Sequence, residues 1–138
     1  MTSPTSCADT SLVVAALSSW HGAHEPARRS VDRHRPLLPG HVLLESYATL
    51  TRLPGHELAP DVVTEALAAS FPDRHPTLPG GDYLPLLRRL AAGGMAGGRV
   101  YDALVAAECK AAKARILTLD RRAIPVYELV GCEYEVVA

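Results

Sequence analysis

Aromatic residues are scarce in this chain of 138 residues: one Trp, one Phe and five Tyr make up 5% of it. With 48% hydrophobic residues, its core has to be assembled mostly from Ala, Leu and Val rather than from packed rings. No apolar run approaches the ~20 residues that cross a bilayer. Met1-Thr2-Ser3-Pro4 also lacks the basic-then-apolar order of a secretory signal. No membrane partner is expected, and a cytoplasmic location is. Cys7, Cys109 and Cys132 are odd in number and show no C-x-x-C spacing, which argues for free thiols in reducing surroundings.

Neither charge sign dominates, with 14 Lys and Arg against 15 Asp and Glu, so composition alone does not announce a nucleic-acid partner. The histidines are scattered and no H-E-x-x-H occurs, which sets aside a zinc hydrolase. His21 and His24 read as surface residues of a loop or helix start. The run Gly93-Gly94-Met95-Ala96-Gly97-Gly98 lacks a following Lys-Ser/Thr and is too irregular to cradle phosphate. No internal repeat, linker or low-complexity segment interrupts the chain. A single domain over residues 1–138 follows, burying roughly 70% of the surface that its unfolded form exposes.

Against this background four acidic residues stand out: Asp9, Glu45, Asp102 and Asp120. Each falls at an expected strand end, helix face or helix start, and together they run along nearly the whole chain. Ser6-Cys7-Ala8 reads as a short strand, and Asp9-Thr10-Ser11 offers three capping side chains before the apolar run Leu12 to Leu17. Asp9 either caps that helix or stands at the carboxyl edge of a sheet, where open α/β folds place ligands. Glu25-Pro26 opens a basic helix to about His34, and Pro36 to Pro39 is an extended link. His41 to Leu53 reads as a helix with Leu43, Tyr47 and Leu50 on one face. Glu45 then lies opposite, in a stripe with His41, Thr49 and Arg52.

Ala59-Pro60-Asp61 starts a further helix to about Ser70, and Phe71 to Gly81 is loop with a brief strand at Thr77-Leu78. Asp82 reads as the N-cap of a helix to Ala92, with Pro85 in its first turn. The helix from Val100 to Ala114 is apolar around nearly all its circumference, so it is expected to be enclosed. Asp102 sits in its first turn. A helix-dipole interaction of ~0.3–1 kcal/mol does not offset burial of a bare carboxylate, so this residue needs a partner. Arg115 to Thr118 reads as a strand that delivers Asp120 just past its end. Arg121 to Ile124 is a short turn or helix stopped by Pro125, and Tyr134 to Val137 is the final strand. Alternating short strands and helices argue for an α/β sandwich around a mainly parallel sheet.

Four carboxylates gathered by folding form an all-oxygen site that prefers a hard divalent cation, Mg²⁺ or Mn²⁺. Such an ion lowers the pKa of water and screens phosphate charge, which points to phosphodiester hydrolysis. Setting those four of the 15 acids aside leaves 14 basic against 11 acidic groups elsewhere. Arg28, Arg29, Arg33 and Arg35, then Arg88 and Arg89, then Arg121 and Arg122 are clusters able to hold phosphates, or else ordinary solvated faces.

With these residues placed, the chain resembles the PIN-domain ribonucleases of the VapC toxin type. The resemblance is carried by Asp9-Thr10-Ser11 and by Leu38-Pro39-Gly40-His41-Val42-Leu43-Leu44-Glu45. It continues through Tyr101-Asp102-Ala103-Leu104-Val105-Ala106-Ala107 and Leu117-Thr118-Leu119-Asp120-Arg121-Arg122. Each piece is weak alone, and the four in order are specific. The resemblance implies one PIN-like domain, a three-layer sandwich whose short-stranded, mainly parallel sheet is flanked by helices. It also implies a Mg²⁺- or Mn²⁺-dependent endoribonuclease, the toxin of a toxin–antitoxin pair, leaving 5′-phosphate and 3′-hydroxyl ends. Asp9 and Asp102 then match principal metal ligands, and Glu45 and Asp120 match ligands or acids acting through water. Ser11 and Thr118 match hydroxyls that fix the carboxylates. The implied partners are RNA, a small VapB-like antitoxin whose arm enters the groove, and a second copy in a homodimer. Apolar antitoxin residues are expected along Leu12 to Leu17 and Val42 to Leu50.

Two other readings compete. A catalytically inactive interaction module would keep the PIN fold without the chemistry, although the presence of all four acids argues against it. A receiver-like signalling domain needs an acidic pair after its first strand and a Lys after its last. Here only Asp9 and Arg121 stand near those places.

Overall fold

The computed structural model describes residues 4–137. Three strands, β1 (Ser6–Ala8), β2 (Arg115–Thr118) and β3 (Tyr134–Val136), form a sheet in the order β1-β2-β3. Both pairings are parallel, with Cys7 opposite Ile116 and Leu117 opposite Glu135. Leu37 adds a parallel bridge to Cys7 on the outer side of β1. Seven helices surround the sheet among the described residues: α1 (Thr10–Leu17), α2 (His24–His34), α3 (Gly40–Arg52), α4 (Pro60–Ser70), α5 (Tyr83–Ala92), α6 (Arg99–Ala111) and α7 (Ile124–Val130). The α/β fold expected from the alternation is the one observed.

The core is aliphatic, as the shortage of aromatics requires. Leu12, Val13, Leu38, Val42, Leu50, Ile116 and Leu117 are among its most buried side chains. Alanines 8, 15, 16, 27, 103 and 106 let the helices approach the sheet closely. Cys7, Cys109 and Cys132 are free and buried, so they act as small apolar residues. No helix is long and apolar enough to cross a membrane among the described residues.

Four sequence expectations are corrected. Pro125 does not stop a helix: it lies in the first turn of α7, where its missing N–H has no partner to lose. That helix ends instead at Gly131, whose φ of 83° supplies the left-handed cap. Thr77-Leu78 forms no strand, and Leu78 is simply buried from a loop. Asp82 is the N-cap residue of α5 as expected, but its side chain makes no capping hydrogen bond, because a 3₁₀ turn over Gly80–Asp82 runs straight into the helix. On α3 the buried face is Val42, Ser46 and Leu50, while Tyr47 is 39% and Leu44 72% exposed. The completely buried Ser46 is small enough to let α3 lie close against its neighbours α1 and α6. Glu45 therefore borders the buried face instead of opposing it.

Candidate active site

A parallel sheet aligns its strand ends, and that geometry assembles the site. β1 runs directly into Asp9, which begins α1 as its N-cap, with Oδ1 accepting the Leu12 N–H at 3.2 Å. β2 ends at Thr118, two residues before Asp120. The two strand ends are tied together by hydroxyls. Ser11 Oγ donates to Asp9 Oδ1 at 2.5 Å and accepts the Leu119 N–H at 3.0 Å. Thr118 Oγ1 donates to Asp9 Oδ2 and accepts the Asp120 N–H at 2.9 Å. Both hydroxyls named from the sequence thus lie against Asp9. Each is oriented by a backbone amide that leaves its proton free to point at the carboxylate. Asp9 caps a helix and also stands at the carboxyl edge of the sheet, so the two alternatives left open by the sequence coexist.

Glu45 and Asp102 arrive from helices. Glu45 Oε1 accepts from Thr10 Oγ1, which links α3 to the start of α1. Its Oε2 lies 3.4 Å from His41 Nε2 one turn earlier, and the His41 ring stacks on Tyr101 of α6 at 5.3 Å. The His41 backbone N–H donates to the buried carboxylate of Glu108, whose pKa is raised by burial. α6 therefore orients the first turn of α3 while carrying Asp102 itself. Asp120 caps the turn after β2, accepting the Arg122 N–H at 3.0 Å.

The electrostatics register the four acids as one cluster. Burial, followed by the charges of Asp120, Asp9 and Glu45, pushes Asp102 up to about 6, and His41 partly opposes this. Like charges held close disfavour each other's ionised form. Asp9 is also raised, by burial first, against the lowering effect of Ser11, Thr118, Tyr127 and Leu12. No three His, Cys, Asp or Glu side chains are already disposed to enclose an ion among the described residues. Four donors fill the lone-pair directions of Asp9, so an incoming cation needs one hydroxyl to turn aside. Hydroxyls rotate at little cost, and oxygen donors with mutual repulsion suit a hard cation, so the donor set fits Mg²⁺ or Mn²⁺.

Sequence reasoning missed three members of this cluster. Thr10 was read as a capping residue and His41 as sharing a helix stripe with Glu45, both within the motifs of the resemblance, and neither was given a role in the site. Tyr127 was not singled out at all, yet it is 1% exposed and its hydroxyl donates to Asp9 Oδ2 at 2.9 Å. The available signal was a Tyr between apolar residues in a short helix, since a buried phenol requires a hydrogen-bond partner.

The PIN domain profile matches residues 6–129 of this chain. Ribonuclease VapC40 of Mycobacterium tuberculosis is 41% identical over 130 residues, covering 94% of this chain and 96% of the relative. Ribonuclease VapC27 of the same organism is 36% identical over 140 residues, covering 98% of each.

Proposed function

This chain belongs to the PIN-domain family, as a toxin of the VapC type, and on that premise we propose that it is a metal-dependent endoribonuclease acting through Asp9, Glu45, Asp102 and Asp120. The observation that carries this reading is the repulsion felt at Asp102 from acids on three other segments. A bound divalent cation relieves such repulsion, which gives the clustering a purpose that stability alone does not. Asp9 and Asp102 are assigned as principal ligands, with Glu45 and Asp120 binding directly or through water. Ser11 and Thr118 support them.

When bound, Mg²⁺ or Mn²⁺ supplies water of lowered pKa and screens the charge that builds on phosphate. The chain's own residues have distinct tasks around it. Glu45, at the border of the buried face of α3 with His41 beside it, is assigned to orient the attacking water and accept its proton. Arg121 and Arg122 are exposed next to Asp120, where they can hold flanking phosphates of an RNA strand. The domain is assigned to the whole of residues 1–138, acting as a homodimer.

A VapB-like antitoxin is the proposed inhibitor, with an Arg of its arm bonding two carboxylate oxygens in the metal's place. Along Leu12 to Leu17, Leu12, Val13, Ala15 and Ala16 are buried, so an apolar contact there is left to the half-buried Val14 and Leu17. Within the second expected segment, Leu43, Leu44 and Tyr47 of α3 line a groove of about 580 Å³ with Leu67 and Phe71, which suits apolar antitoxin residues.

Purified protein free of antitoxin is expected to cleave bacterial RNA with Mg²⁺ or Mn²⁺ and to be silent in EDTA. Cleavage undiminished by EDTA would overturn the metal reading, and RNA left intact in Mn²⁺ would favour the inactive interaction module. The outer acids should matter less than the principal pair. Glu45→Gln and Asp120→Asn are each expected to weaken Mn²⁺ binding and slow cleavage by about 10–100-fold, the range for groups that support a metal site. Wild-type Mn²⁺ affinity and turnover in both variants would reduce the site to two acids.

A further inference from the structure

We propose that Tyr127 is a positioning residue for the catalytic carboxylate Asp9, holding Oδ2 from a direction that no neighbouring segment can supply. Asp9 takes its other three donors, Ser11, Leu12 and Thr118, from the ends of β1 and β2 and the first turn of α1. Tyr127 comes from α7, 118 residues away in sequence, and spans the interior to reach the same carboxylate. Its ring is packed within the core at 1% exposure, so the hydroxyl is delivered by a rigid arm. A phenol O–H turns only about its C–O bond and prefers the ring plane, unlike the freely rotating hydroxyls of Ser11 and Thr118.

The buried phenol donates its proton to Asp9 Oδ2 at 2.9 Å and meets no other acceptor in the observed network. Burying that hydroxyl without a partner would be unfavourable relative to Phe, and Asp9 is the partner that compensates it. The helix is built to aim it. Pro125 sets the first turn, Val126 and Val130 are buried along with Tyr127, and the left-handed Gly131 ends the helix.

The inference rests on the metal reading above and assigns to Tyr127 the task of restricting rotation of the Asp9 carboxylate about its Cβ–Cγ bond. With the phenol removed, Oδ2 keeps only Thr118, and the carboxylate samples orientations that do not serve a cation. Loss of such an outer partner lowers metal affinity by 10–100-fold in general.

The test titrates Mn²⁺ calorimetrically into full-length wild-type protein, Tyr127→Phe and Val126→Ala. Val126 is equally buried in the same helix, but the observed network gives it no bond to Asp9. Tyr127→Phe is expected to weaken Mn²⁺ binding about tenfold and to lower kcat with KM for RNA unchanged. Val126→Ala is expected to lower the Tm while leaving Mn²⁺ affinity as in wild type. Unchanged affinity in Tyr127→Phe, or equal weakening in Val126→Ala, would reduce Tyr127 to a packing residue. Failure of the wild type itself to bind Mn²⁺ would remove the metal reading together with this one, an outcome distinct from the other two.

Discussion

Asp102→Asn is expected to abolish nearly all RNA cleavage while making the metal-free protein more stable. The two effects have one cause. Asp102 stands where burial and three neighbouring acids push its pKa up to about 6, from an ordinary value of 3.8. A carboxyl whose folded pKa is raised binds its proton more tightly in the fold than in the unfolded chain. The associated stability is present below about pH 4 and is lost as pH rises through about 6. At neutral pH the ionised group is therefore a cost, nominally about 3 kcal/mol and roughly half that once solvent screening of a partly exposed carboxyl is allowed for.

The Asn variant carries no charge and avoids this cost, so its metal-free Tm at pH 7 should exceed that of wild type by several degrees. At pH 4 the difference should vanish. Cleavage should fall by about three orders of magnitude, corresponding to ~4 kcal/mol of transition-state stabilisation. Thermal melts in EDTA at the two pH values and RNA cleavage in Mn²⁺ measure these separately. A variant that is less stable at pH 7, or one that retains full activity, contradicts the assignment of Asp102.

Asp9 should behave in the opposite sense when its side chain is cut away. Asp9→Asn and Asp9→Ala both remove the charge, so the cost of burying that charge cancels when the two variants are compared. What differs is the scaffold of four donors. Asn keeps an oxygen for the Leu12 N–H, which cannot turn away, and offers its amide hydrogens to the oxygens of Thr118, which turns freely, and of Tyr127, whose proton swings to the opposite side within its ring plane. Ala leaves the Leu12 amide and the Tyr127 hydroxyl without an acceptor in a buried place. Each orphaned buried donor costs ~1–3 kcal/mol, so with two of them Asp9→Ala should be less stable than Asp9→Asn by about 2–6 kcal/mol. Both should be inactive. Urea titration of the two metal-free variants reads this difference, and equal midpoints would show that water replaces the carboxylate without penalty.

Most elements were legible because their signals are local. Asp9-Thr10-Ser11 caps a helix, Pro60 opens one, and the apolar run ending at Leu117-Thr118 is a strand wherever it occurs. Errors arose where a neighbour decides the outcome. Pro125 is a stop signal or a first-turn residue according to whether the chain before it has already turned, which a 3₁₀ turn over Arg121–Ala123 does here. The face of α3 was misjudged because apolar side chains nominate Leu43 and Tyr47. The close approach of α1 and α6 selects the smaller Ser46 instead.

The candidate site divides in the same way. Its four acids could be picked out from the sequence by their places at strand ends, a helix face and a helix start, while Ser11 and Thr118 were named only through the family resemblance. Their order along the chain also carries the family resemblance. Only the tertiary structure decided that Thr10 bonds Glu45, that His41 lies between Glu45 and Tyr101, and that Tyr127 reaches Asp9. Those contacts join residues 35 to 118 positions apart, apart from the single-turn His41–Glu45 pair. Helical and strand periodicities are properties of the backbone within one element and can be read along a line. Which side chains meet across the core depends on the packing of several elements at once, and no local pattern records it.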